Sequence, residues 1–195
     1  METTTEESTS ILDTKPPWNN SLPFAAGHYK LRVISCEKTK AKAESARDQI
    51  NAKLEITSPE EMEVNGETYQ VSGTEILHYF GLDKTAAQPW GLIPLSKALY
   101  EKRADAIKFL GCDNLADLVN KFDCKENLLG LEFWAEVVDE VRVTRKKRTP
   151  EDILEGKKEG EAVLDENGKP KYSHWPRINK FVRMEEAPKK LDMAY

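Results

Sequence analysis

The chain has 195 residues, 39% of them hydrophobic and 32% charged, with a net charge of -5 and a mean hydropathy of -0.64. That is enough apolar material for one domain with its own core plus tails, and no apolar run approaches the ~20 residues that a membrane-crossing helix needs. The N-terminal Met-Glu-Thr-Thr-Thr-Glu-Glu-Ser lacks the basic and apolar regions of a signal peptide, and Cys36, Cys112 and Cys124 are too irregularly spaced for a disulfide framework or a zinc ribbon, so a cytoplasmic protein with reduced thiols and no membrane contact is expected.

Residues 1–21 read as a flexible tail, because few apolar side chains are available to order them. A first strand follows over 27–35, where Tyr29, Leu31 and Val33 alternate with His28, Lys30 and Arg32. That period of two buries one face and shows cations on the other. A Lys- and Ala-rich connector over 39–48 follows, and Lys38, Lys40, Lys42 and Arg47 make a second basic segment there. The second strand, over 49–56, points Ile50, Ala52, Leu54 and Ile56 one way and Gln49, Asn51, Lys53 and Glu55 the other. A third β-segment spans 68–82. Asn65-Gly66 marks a turn before it and Gly73 a bulge or bend inside it. Ile76, Leu77, Tyr79 and Phe80 form its dense apolar run, and Tyr69, Tyr79 and Phe80 are expected in the core.

Helical spacing then takes over. Leu95, Leu99, Ala106 and Leu110 share one side, Gly111 supplies a stop, and Asp113 or Asn114 can cap a second helix striped by Leu115, Leu118, Val119 and Phe122. A fourth strand over 130–138 turns Leu131, Phe133, Ala135 and Val137 inward and leaves Trp134 out of phase, facing away from the core. Residues 149–172 are polar and punctuated by Gly156, Gly160, Asn167-Gly168 and Pro170, the composition of a long flexible arm. A fifth strand over 177–183 aligns Ile178 with Val182, and 187–195 form a second tail, which leaves a single domain over 22–186.

Three strands, a helical block and two strands is the order of a five-stranded Greek-key barrel of the OB type, mainly β with inserted helices between strands three and four. Such barrels commonly bind single-stranded nucleic acid on an open face. No P-loop, dinucleotide fingerprint, nucleophile elbow or metal-ligand spacing appears, so neither catalysis nor a metal or other cofactor is expected.

Single strands need flat rings for bases and cations for phosphates. The rings offered are Trp134, Tyr172 and Trp175. The cations are Lys30, Arg32 and Lys53 on the outward face of the first two strands, the basic run Arg142, Arg145, Lys146, Lys147 and Arg148, and Arg177 beside the aromatic cluster. Uneven placement of charge reconciles a basic face with the negative sum. That same sum and the long polar arm suit the alternative, an interaction module on the same fold that binds a host or replication protein.

Gly27-His-Tyr-Lys-Leu-Arg-Val, Ile107-Lys-Phe-Leu-Gly-Cys, Leu128-Leu-Gly-Leu-Glu-Phe-Trp-Ala-Glu-Val and Ile178-Asn-Lys-Phe together resemble a family, the phage OB-fold single-stranded DNA-binding proteins, over residues 22–185. The resemblance implies binding of single-stranded DNA with little sequence preference during DNA replication or recombination. Replication or recombination proteins, or further copies of the chain, would be the additional partners.

Overall fold

Alternating burial along the strands organises the chain into one large antiparallel sheet. The structure, a computed structural model, describes residues 15–40, 47–157 and 159–183. Its strands are β1 (Gly27–Lys40), β2 (Asp48–Ser58), β3 (Glu61–Val64), β4 (Glu67–Gln70), β5 (Glu75–Gly81), β6 (Glu132–Val143) and β7 (Tyr172–Val182). Five of them pair in the order β5-β2-β1-β6-β7, each neighbour antiparallel, while β3 and β4 form a separate hairpin. The inward faces expected from the sequence are the buried ones: Tyr29, Leu31 and Val33, Ile50 to Ile56 at every second position, and Phe133, Ala135 and Val137. Each large side chain fully withdrawn from water contributes roughly 1.5–3 kcal/mol, and that shared face holds the sheet together.

The sheet curls until its two edge strands face one another. Phe80 of β5 stacks on Phe181 of β7 with centroids 6.1 Å apart, and His78 meets the same ring edge-on at 6.2 Å. Among the described residues no hydrogen-bonded ladder joins these two strands. They are separated by a seam that side chains fill.

The helices are α1 (Leu92–Leu99), α2 (Arg103–Leu110), α3 (Leu118–Lys121), α4 (Cys124–Asn127) and α5 (Pro150–Leu154). The single stripe from Leu95 to Leu110 is divided between two helices, because Tyr100 is extended (φ -127°, ψ 126°) and ends α1. Gly111 closes α2 in the left-handed conformation at φ 70°, as its position requires. Asn114 accepts a backbone N–H at the start of a 3-10 turn (Leu115–Asp117) that leads into α3, and Asp123 accepts two at the start of α4. Leu92, Leu95, Phe109, Leu118 and Phe122 enter the same core as the strands. All three cysteines are free and buried, and the Cys36 thiol donates to the Cys124 carbonyl at 3.0 Å, tying β1 to α4.

Several expected boundaries move. The third β-segment is two strands in different sheets. Asn65 (φ 53°) and Gly66 (φ 83°) turn β3 into β4, and Gly73 (φ 82°) then redirects the chain into β5. β7 begins at Tyr172 rather than at 177, since Pro176 is accommodated within it opposite Asp139. Part of the N-terminal tail belongs to the domain: Trp18 donates its backbone N–H to Gln70 (2.9 Å) and packs edge-on against Phe24 at 5.2 Å. The arm carries α5, with a capping box between Thr149 and Asp152, and folds back through Val163, which bonds to Thr144 and Lys171 (2.8 and 2.7 Å). Residues 1–14, most of the Lys-rich connector including Lys42, and the C-terminal tail lie outside the described residues.

Candidate nucleic-acid interface

The seam between β5 and β7 opens outward into a groove of about 680 Å³. Strand alternation on β5 supplies one wall. Ile76, His78 and Phe80 point inward and are buried, so Leu77 and Tyr79 point outward and are 57% and 47% exposed. This corrects the expectation that Tyr79 is a core residue; Phe80 alone of the three expected tyrosine and phenylalanine positions is fully buried, with Tyr69 only packed against the core. Trp175 and Arg177 of β7 and Glu140 and Arg142 of β6 supply the other wall. Lys53 and Glu75 stand on the β2–β5 side.

Trp90 enters from the loop before α1. The buried His78 ring holds it, Nε2 donating to the Trp90 carbonyl at 2.9 Å. Burial drives the His78 pKa down from 6.5 to about 4, so the ring is neutral at neutral pH. The neighbouring Gly91 lets the loop pass close to the preceding turn: a Cβ there would lie 2.3 Å from the Ala86 carbonyl oxygen. The Arg177 guanidinium sits 5.4 Å from the Trp90 ring centroid, and Arg142 sits 6.0 Å from that of Trp175. Glu140 links the two arginines, accepting from Arg142 at 2.9 Å and facing Arg177 at 3.8 Å. The Arg142 hydrogen bond and charge, with a smaller contribution from Arg177, hold the Glu140 carboxyl below its usual range.

A second recess of about 430 Å³ adjoins the first, sharing Arg142 and Trp175. Arg145, Lys171 and Tyr172 line it, and among the described residues no carboxylate does. Tyr172 is 55% exposed at the start of β7. The local chain is fixed by His174, whose Nδ1 lies 2.6 Å from Asp139 and whose backbone N–H donates to Asn20 at 2.8 Å.

Of the remaining sequence candidates, Lys53 and Arg145 reach the groove or its adjoining recess and the others lie elsewhere. Lys30 pairs with Glu132 and Arg32 with Glu55 on the outer face of the sheet, outside the groove. Lys53 lies in the groove, paired with Glu75 at 3.1 Å. The basic run is engaged with the arm: Arg145 donates to the Gly160 carbonyl (3.1 Å) and pairs with Glu159, Lys146 faces Glu161 at 3.5 Å, and Arg148 donates to the Lys157 carbonyl. Lys147 is exposed. Trp134 is half-buried in a separate recess beside Lys97, Leu99 and Glu101 of the helical block. It pairs with Val182, whereas Trp175 pairs with Glu140, six residues farther along β6. At ~3.3 Å per residue that is a separation of about 20 Å.

Sequence reasoning missed Leu77, Tyr79 and Trp90. Strict alternation from Glu75 would have placed the first two outward, but their apolar neighbours masked it. Trp90 carries no local signal, since its place depends on His78 from another element. Among the described residues no group of three or more His, Cys, Asp or Glu side chains is poised to hold a metal ion, and no helix is long and apolar enough to cross a membrane. Comparison with protein-family models, with curated proteins and with solved structures finds no match to this chain.

Proposed function

We propose that this protein binds single-stranded DNA with little sequence preference, along the groove between β5 and β7. The carrying observation is that Leu77, Tyr79, Trp90 and Trp175 line one open groove together with Lys53, Arg142 and Arg177. Rings accept bases without reading them, because every base has a π-face, and cations beside them accept phosphates. The ion pairs already present do not block this. Exposed pairs are worth ~0–1 kcal/mol, so a phosphate can exchange for a carboxylate at little cost.

The strand order supports reading the curled sheet as an OB-type barrel. The central β1 is flanked by β2 and β6, the edge strands β5 and β7 face each other, and the helical block falls between β5 and β6. The DNA continues past Trp175 into the second recess, where Tyr172 offers another ring and Arg145 and Lys171 further cations. The role is to protect exposed strands during replication or recombination, the setting that the resemblance to phage proteins implies. No catalysis is proposed.

Titrating the intrinsic tryptophan fluorescence with oligo-dT at low salt tests this. Stacking quenches the indoles, and Trp175→Ala and Tyr79→Ala each weaken binding by roughly 1–3 kcal/mol. Trp134→Ala leaves the affinity unchanged. Absence of binding at low salt, or equal losses at Trp134 and Trp175, rejects the proposal.

A further inference from the structure

Five side chains in the groove form a continuous chain of contacts: Trp90, Arg177, Glu140, Arg142, Trp175. Each arginine stands over an indole, at 5.4 and 6.0 Å, and the single carboxylate lies between the two guanidinium groups, at 3.8 and 2.9 Å. Glu140 therefore sits where two cations converge between two flat rings. A phosphodiester has the same formal charge as a carboxylate and likewise accepts hydrogen bonds from guanidinium groups. It also joins two bases, and two rings flank this position.

We propose that Arg142 and Arg177 form a phosphodiester subsite and that Glu140 occupies it in the free protein as a built-in competitor. The inference rests on the single-stranded DNA reading and adds a specific point of backbone contact to it. When a strand binds, one phosphate replaces the Glu140 carboxylate between the arginines, and Glu140 turns out to solvent. Its half-exposed position on the outward face of β6 permits that movement. The exchange conserves charge at the two arginines. It lowers affinity for DNA and restrains the arginines in the empty groove.

The other groove carboxylate provides the control. Glu75 pairs with Lys53 alone, at 3.1 Å. Glu140→Gln and Glu75→Gln remove the same charge from the same groove, but only the first vacates the proposed subsite. Affinity for oligo-dT and its dependence on salt are measured for the wild-type protein and both variants, after equal thermal melts establish folding. Glu140→Gln is expected to bind roughly two- to five-fold tighter at low salt, the effect of releasing exposed ion pairs. Its log–log salt slope steepens by up to about 0.7, because the displaced carboxylate no longer recaptures a cation released from the DNA. Glu75→Gln gives a smaller gain.

Unchanged or weaker binding by Glu140→Gln overturns the subsite, as does an equal gain in both variants, which makes the effect one of net charge. In either case the groove reading survives on wild-type binding. If neither the wild type nor Glu140→Gln binds oligo-dT at low salt, both the subsite and the proposed function fall.

Discussion

Salt is the sharpest perturbation for a groove whose proposed ligand is a polyanion. Five cations line the proposed path of the strand: Lys53, Arg142 and Arg177 in the seam groove, with Arg145 and Lys171 in the adjoining recess. Each neutralised phosphate of a single strand contributes ~0.7 to the slope of log affinity against log salt, so five contacts give about -3.5. Glu75, Glu140 and Glu159, paired with Lys53, Arg142 and Arg145, recover a cation each when displaced, which moves the slope toward about -1.4. Raising salt from about 50 to about 200 mM should then weaken binding by roughly 7- to 130-fold. Fluorescence anisotropy of a dye-labelled oligo-dT, titrated at four or more salt concentrations, reads this directly. Arg177→Ala should flatten the slope by about 0.7 as well as lowering affinity. A wild-type slope shallower than about -1 would refute the reasoning, because the groove cations would then not be holding phosphates.

Two further predictions concern the loop that presents Trp90. The His78 pKa is depressed by burial from 6.5 to about 4, so the unfolded chain takes up a proton that the native ring refuses; stability is complete above pH 6.5 and declines as pH falls toward 4, by about 3 kcal/mol in full. Urea denaturation between pH 7 and pH 5 should show this decline and His78→Gln should remove most of it; an identical pH dependence in the variant contradicts the assignment. Gly91→Ala forces a Cβ to within 2.3 Å of the Ala86 carbonyl and should cost roughly 1–3 kcal/mol while displacing Trp90. A thermal melt identical to that of the wild type would show that the loop can yield.

Much of the sheet was legible in the sequence because strand burial has a period of two. Tyr29, Leu31 and Val33 announce their face through Lys30 and Arg32 between them, and Ile50 to Ile56 through Asn51, Lys53 and Glu55. The turn at Asn65-Gly66 and the left-handed stop at Gly111 were equally local, since each needs a backbone conformation that few residues adopt readily. Trp134 and Trp175 illustrate the limit. Both read as rings for stacking bases, yet one lies in a recess beside α1 and the other in the seam groove.

The sequence by itself determined which faces are apolar, where the chain turns, and that β-segments enclose a helical block. Only the tertiary structure decided which outward side chains share a groove. Tyr79 and Trp175 line one groove because the sheet curls until β5 and β7 face each other, and Trp90 joins them because His78 holds its carbonyl. The basic run was diverted to its own arm by carbonyls and carboxylates that a strand pattern does not reveal. Alternation is a property of neighbours along the chain, whereas a binding groove is made by curvature, which depends on how the whole core packs.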